Sequence, residues 1–198
     1  MVTVEAEAGR RRHSISTRVR FASRRLRRKR TVAAVPSANP YGTFHSDPLY
    51  GHDQSDPHDI AVVVFDQPVR GITPAQLPTA GSLSSLSGSQ TFTSVGYGAY
   101  EVTNGPGGHQ YLYNDVRMVA TGTLNAINPS RLRISMNPSS GNGGTCYGDF
   151  GGPNFLGTTD IVAAITITGD AVCRSTNVVY RLDTELARAF LGQYVMLP

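Results

Sequence analysis

The side chains best equipped for chemistry crowd into Gly141-Asn-Gly-Gly-Thr-Cys-Tyr-Gly-Asp-Phe-Gly-Gly-Pro153. Glycine at this density marks backbone that needs positive φ or the close approach of another segment. Asp149 is the acid of this stretch, and Cys146 is one of only two cysteines, the other being Cys173. In a short Gly/Ser/Thr-rich chain such a pair fits a single disulfide, formed in an oxidising compartment, better than a metal site; two free buried thiols are the plainer alternative. Closing a loop of this size would contribute roughly 3–4 kcal/mol. A second acid, Asp59, heads the run Asp59-Ile-Ala-Val-Val-Val-Phe-Asp66. Its plainest role is to cap a turn before a strand.

Within the glycine-rich stretch, Gly148-Asp-Phe-Gly-Gly-Pro153 resembles the Gly-Asp-Ser-Gly-Gly-Pro nucleophile loop of the trypsin-like, chymotrypsin-fold serine proteases, with five of six residues matching. Asp59-Ile-Ala-Val resembles that family's Asp-Ile-Ala-Leu segment, whose Asp is the triad carboxylate. His45-Ser-Asp-Pro-Leu-Tyr50 is similar to its His-Pro-x-Tyr turn, and Gly96-Tyr-Gly98 to its Gly-Trp-Gly strand. These segments, the cysteine pair and a closing helix come in the family's order over residues 41–198. The resemblance implies peptide-bond hydrolysis on a peptide or protein substrate, a secreted monomer, and neither cofactor nor metal.

Acyl transfer of that kind needs a hydroxyl, an imidazole to take its proton, and a carboxylate to orient the imidazole. Asp59 stands at the carboxylate position. Phe150 occupies the nucleophile position, where it has no heteroatom to attack with and a ring expected to fill the space of a substrate carbonyl. The backbone N–H groups of Gly148 and Phe150 would form the oxyanion hole. No Thr-Ala-Ala-His-Cys-like segment supplies the base. His45 and His58 match non-catalytic positions, and His52 and His109 lie in loop sequence. His13 precedes Asp59 by roughly the family's interval but sits in an arginine-rich tail, where a solvated histidine is the expectation. Asp149 matches the acid that pairs with a freshly cut amino terminus. Without that partner it is expected to turn outward or find backbone donors, because a buried lone carboxylate costs several kcal/mol. The substrate pocket would have Gly144 at its base, with Gly169 and Val178 as walls, which favours a small or apolar side chain. On these residues the chain is expected to be catalytically inactive. A non-hydrolytic peptide-binding module is the alternative, and a basic-armed binder of nucleic acid or anionic surfaces is a further one.

The elements that must position these residues are short strands. Gly, Pro and Asn turns separate β-branched runs throughout residues 91–183, a pattern that suits an antiparallel barrel. Strands are expected at 91–98, 111–120, 131–136, 152–156, 161–168 and 178–183. The continuous apolar run after Asp59 predicts a buried strand of about six residues. Asp183 can cap a helix over 184–194 with Leu186, Phe190, Leu191 and Tyr194 on one face. The expected fold is therefore all-β: a chymotrypsin-like double antiparallel barrel with an incomplete first barrel and a C-terminal helix. Residues 32–80 would be the remnant of the first barrel and 81–198 the second barrel with its helix.

Residues 1–31 differ in texture. The first thirty residues hold eleven basic side chains against Glu5 and Glu7, a net +9; with the whole chain at +4, residues 31–198 carry −5. The high isoelectric point thus belongs to the leading segment, and the acidic body argues against nucleic acid as the partner of the fold itself. The segment reads as disordered, and its arginine-rich, lysine-poor text is what a GC-rich coding region yields out of frame. No signal peptide and no membrane-length apolar run is visible.

Overall fold

The computed structural model describes residues 2–5, 41–51 and 55–198. The basic run from Arg10 to Arg30, with His13, and also His52, lie outside the described residues. Strands β1 (Val2–Glu5), β2 (Gly42–Ser46) and β3 (Ala61–Phe65) form one small sheet with β3 in the middle, parallel to β1 and antiparallel to β2. The remaining strands are β4 (Thr91–Gly96), β5 (Glu101–Gly105), β6 (Gly108–Leu112), β7 (Met118–Ile127), β8 (Arg131–Ser135), β9 (Pro153–Leu156), β10 (Val162–Gly169) and β11 (Thr176–Arg181), followed by helix α1 (Glu185–Leu191). Six of them close a barrel in the order β10-β11-β8-β7-β4-β9, all pairs antiparallel. The fold is all-β and chymotrypsin-like, with one closed barrel, a partial first sheet and a single C-terminal helix.

Closure leaves the barrel without an edge and lets alternate side chains fill its interior. Leu83, Phe92, Leu124, Leu132, Ile134, Ala164 and Val179 form that core. A second core joins the small sheet to the barrel and helix, through Ile60 and Val62 on one side and Tyr180, Leu182, Ala187, Phe190 and Leu191 on the other. Beside it, Arg181 reaches Asp183 at 2.9 and 2.8 Å while Asp183 also accepts the Leu83 N–H at 2.8 Å, so this buried pair is fully hydrogen-bonded.

Several expectations need correction. The run after Asp59 is not a uniformly buried strand: only Val62 and Phe65 of β3 are buried, because a three-stranded sheet covers one face. The strand expected at 111–120 is divided. β5 and β6 form a separate hairpin around Gly105–Gly108, and Asp115, at φ 52°, breaks the chain before β7. Asp183 does not cap α1, since Arg181 and Leu83 hold its carboxylate. Thr184 is the cap, its Oγ1 accepting the Ala187 N–H at 3.3 Å. Leu186 is exposed, and Ala187 takes its place on the buried face.

Candidate active site

Asp59 is placed by a tightly tied segment. Its neighbour Ile60 is buried in the second core, and the Asp47 N–H donates to the Ile60 carbonyl at 3.0 Å. Asp56 accepts the Tyr180 hydroxyl at 2.9 Å and the His58 N–H at 3.0 Å. His58 adopts a left-handed φ of 49°, and its Nδ1 lies 3.2 Å from Asp47 Oδ2. Burial and the bond to Asp56 push the Tyr180 phenol far above its ordinary range. Asp59 itself is half-buried. Desolvation raises its carboxyl above the ordinary value of 3.8, opposed by attraction to the chain's amino terminus. Among the described residues no side chain or backbone group hydrogen-bonds or ion-pairs with that carboxylate.

The described histidines are engaged elsewhere. His58 faces Asp47, the His45 ring packs on Tyr194 at 5.1 Å, and His109 pairs with Asn104 at 2.9 Å.

The glycine-rich stretch forms a tight loop between η-turn residues Pro138–Ser140 and β9. Gly148 has φ 96°, and a Cβ there would crowd the Gly98 backbone at 3.0 Å. The Asp149 N–H returns to the Cys146 carbonyl, and the Gly151 N–H to Thr166 at 2.7 Å. The N–H groups of Gly148 and Phe150 are taken by no other described group. Asp149 does not turn outward; it finds backbone donors. Its buried carboxylate accepts N–H groups from Gly98 at 2.7 Å and Cys146 at 2.9 Å, with a further contribution from Tyr97. A Cβ at Gly96 or Gly98 would overlap this carboxylate, so both glycines are required by its seat. Burial still holds the Asp149 carboxyl above its ordinary value, the three backbone bonds opposing it.

Cys146 and Cys173 are joined as a disulfide with a Cα–Cα distance of 5.2 Å. The bridge walls two cavities. One, of about 80 Å³, is lined by Thr145, Tyr147, Phe150, Thr168, Gly169 and Asp170. The other, of about 390 Å³, is lined by Gly144, Met136, Val95, Met118, Arg174 and Asp149. Gly169 and Phe150 therefore share a recess, whereas Gly144 lines the other cavity and Val178 lines neither. A Cβ at Gly144 would overlap the Met136 side chain, whose sulfur accepts the Thr145 N–H at 3.1 Å. Nothing in the sequence marked Met136 for this position.

The Phe150 ring is 55 % exposed, so it has not folded down into the loop. It stacks edge-on against Tyr147 at 6.2 Å, and Tyr147 in turn against Tyr111 at 4.6 Å. Phe150 also lines a third cavity, of about 230 Å³, together with Asp59, Ala61, Ile165, Thr166 and Ile167. The fold thus brings the Asp59 and Phe150 positions to one hollow between the small sheet and the barrel.

A search of curated proteins finds no match to the chain. A family model described as Trypsin matches residues 12–189. Its span covers β2 and β3 of the small sheet, the closed barrel and α1 as far as residue 189. With Asp59 and Phe150 lining one hollow and the Gly148–Pro153 loop tied to Gly98 through Asp149, the chain belongs to the trypsin family of serine proteases.

Proposed function

We propose that this family member holds peptides without hydrolysing them and is secreted. The observation that carries the proposal is Phe150. It lies beside Asp59 in an open cleft, at the position where the family's mechanism requires a hydroxyl, and offers only a hydrocarbon ring. No acyl-enzyme can form on such a side chain. The absence of a described histidine bonded to Asp59 supports the same reading, because an unplaced imidazole cannot deprotonate an attacking group. The N–H groups of Gly148 and Phe150 remain able to polarise a bound carbonyl, and the recess at Gly169 accepts a small side chain. Asp149, latched by backbone donors, holds this loop without a cut amino terminus. A disulfide suits an oxidising, extracellular setting. No described helix is long and apolar enough to cross a membrane.

A panel of fluorogenic peptides tests the proposal. Turnover should not exceed background at any pH, while unlabelled peptides should compete for binding. Measurable hydrolysis blocked by a serine-directed reagent would overturn it. The basic-armed alternative predicts instead salt-sensitive DNA binding that disappears when residues 1–31 are deleted.

A further inference from the structure

The barrel interior changes character along its axis. Phe92, Leu156, Ala164 and Val179 belong to its apolar core or pack on it. Two residues along each of the same strands, and so on the same inward face, stand Ser94, Asn154, Thr166 and Asn177, all polar and at most 3 % exposed. They form one hydrogen-bonded network across β4, β9, β10 and β11, with Asn154 as its hub. Asn154 Oδ1 accepts from the Ser94 hydroxyl at 2.6 Å and from Asn177 Nδ2 at 2.9 Å, and Asn154 Nδ2 donates to Thr166 Oγ1 at 3.0 Å. Two ends are left over. Asn177 Oδ1 is buried and accepts from no group among the described residues. The hydrogen of the Thr166 hydroxyl likewise meets no acceptor among them. Turning the Asn177 amide over would set its oxygen against Asn154 Oδ1. Turning Asn154 with it would take an N–H away from the Gly152 carbonyl, which Asn154 Nδ2 reaches at 3.4 Å.

A buried amide oxygen without a donor is costly, and the remedy is a donor small enough to sit inside the barrel. A metal cation donates no hydrogen bond and needs several oxygen ligands. Here Asn154 Oδ1 and Thr166 Oγ1 are already engaged, and no carboxylate belongs to the network. An ammonium ion would bring an uncompensated charge among neutral groups. Water is neutral, both donates and accepts, and matches the two loose ends. We infer that the barrel holds one ordered internal water, which donates to Asn177 Oδ1 and accepts from the Thr166 hydroxyl. The site is tied to the cleft through the Thr166 backbone. The Gly151 N–H donates to the Thr166 carbonyl at 2.7 Å, and the Thr166 N–H donates to the Gly152 carbonyl at 2.9 Å. The water thus completes the network that seats the loop bearing Phe150, whether or not that loop takes part in hydrolysis.

The test uses the full chain. A high-resolution crystal structure should show one solvent oxygen within hydrogen-bonding reach of both Asn177 Oδ1 and Thr166 Oγ1. Magnetic relaxation dispersion of the solvent counts long-lived internal waters. That count should fall by one in Asn177→Leu, which keeps the side-chain volume and removes the carbonyl. Thr166→Val removes the hydroxyl at nearly constant shape and should shorten the residence of the water severalfold. In both variants the Gly151 amide should exchange with solvent severalfold faster, because its acceptor is the Thr166 carbonyl. A protein group found donating to Asn177 Oδ1, no solvent oxygen beside it, or an unchanged water count in Asn177→Leu would each overturn the inference. An unchanged Gly151 rate would overturn the link to the cleft loop. The crystal structure of the unaltered protein decides for or against the water even if a variant fails to fold.

Discussion

The closed barrel and the small sheet solve the same burial problem with unequal success. In the barrel every strand has two neighbours, and Phe92, Leu132 and Val179 are wholly removed from water. In the small sheet, β3 is flanked by β1 and β2 alone, and Phe44, Leu49 and Tyr50 on or beside β2 remain 55–66 % exposed. The loop bearing Phe150 grows out of the complete barrel. Asp59 enters from the partial sheet, fixed by Ile60 and the ties of Asp56 and Asp47. The difference teaches that the acid's side of the cleft can be held in place by one buried anchor and a few hydrogen bonds, whereas the loop bearing Phe150 takes its seat from a closed barrel.

The sharpest way to break this comparison is to remove a core ring. Phe92→Ala should destabilise the barrel by about 3–5 kcal/mol, read by chemical denaturation. The matching change on the small sheet, Phe44→Ser, should stay within about 0.5 kcal/mol, because the ring is exposed. Equal losses at the two sites would mean that the small sheet buries β2 against something beyond the described residues. Next in size is the disulfide. Cys146→Ser with Cys173→Ser should cost about 3 kcal/mol for a loop of 27 residues and should loosen the wall shared by the two cavities, visible as faster amide exchange at Thr145 and Gly169.

How far the sequence carried these contrasts depends on what each residue touches. The β-branched runs and Gly/Pro turns were enough to place β4, β8, β9 and β10 to within a residue or two, because strand-forming runs bounded by turn residues are a local signal. The 101–112 hairpin was not legible, since its polar residues bury little and leave no alternation to read. The N-cap of α1 was misplaced by one residue because Asp183, a good cap in isolation, is drawn away by the buried Arg181. The loop around Phe150 could be recognised from five matching residues. By contrast, the seat of Asp149 on Gly96 and Gly98, the plug of Met136 under Gly144, and the separation of Gly144 from Gly169 arise from contacts between segments distant in sequence, on which composition and spacing are silent.

A smaller effect sharpens the electrostatic side. A carboxyl whose folded value is raised binds its proton more tightly in the native state. Asp59 therefore contributes stability below its ordinary value of 3.8 that is lost as pH rises through the raised folded value. Asp59→Asn should melt a few degrees higher than the parent protein at neutral pH, and the gap should close in acid. Asp170 runs the other way. Burial would raise it, but the N–H groups of Arg174, Thr176 and Ser175 hold it below its ordinary value, so its contribution is present at neutral pH and lost as pH falls through the folded value. Opposite pH slopes for Asp59→Asn and Asp170→Asn would bear out the contrast; parallel slopes would contradict it.

The central proposal is that the cleft, among the described residues, offers neither an attacking atom at position 150 nor a placed base. Phe150→Ser tests it most directly, assayed with fluorogenic peptides and with an organophosphorus reagent that labels activated serine hydroxyls. The account predicts a folded variant with no turnover above background and no label at position 150, because no described imidazole is held at Asp59 to activate the hydroxyl. Rapid labelling or a large gain in hydrolysis would show that a histidine does reach Asp59, and the account would be wrong.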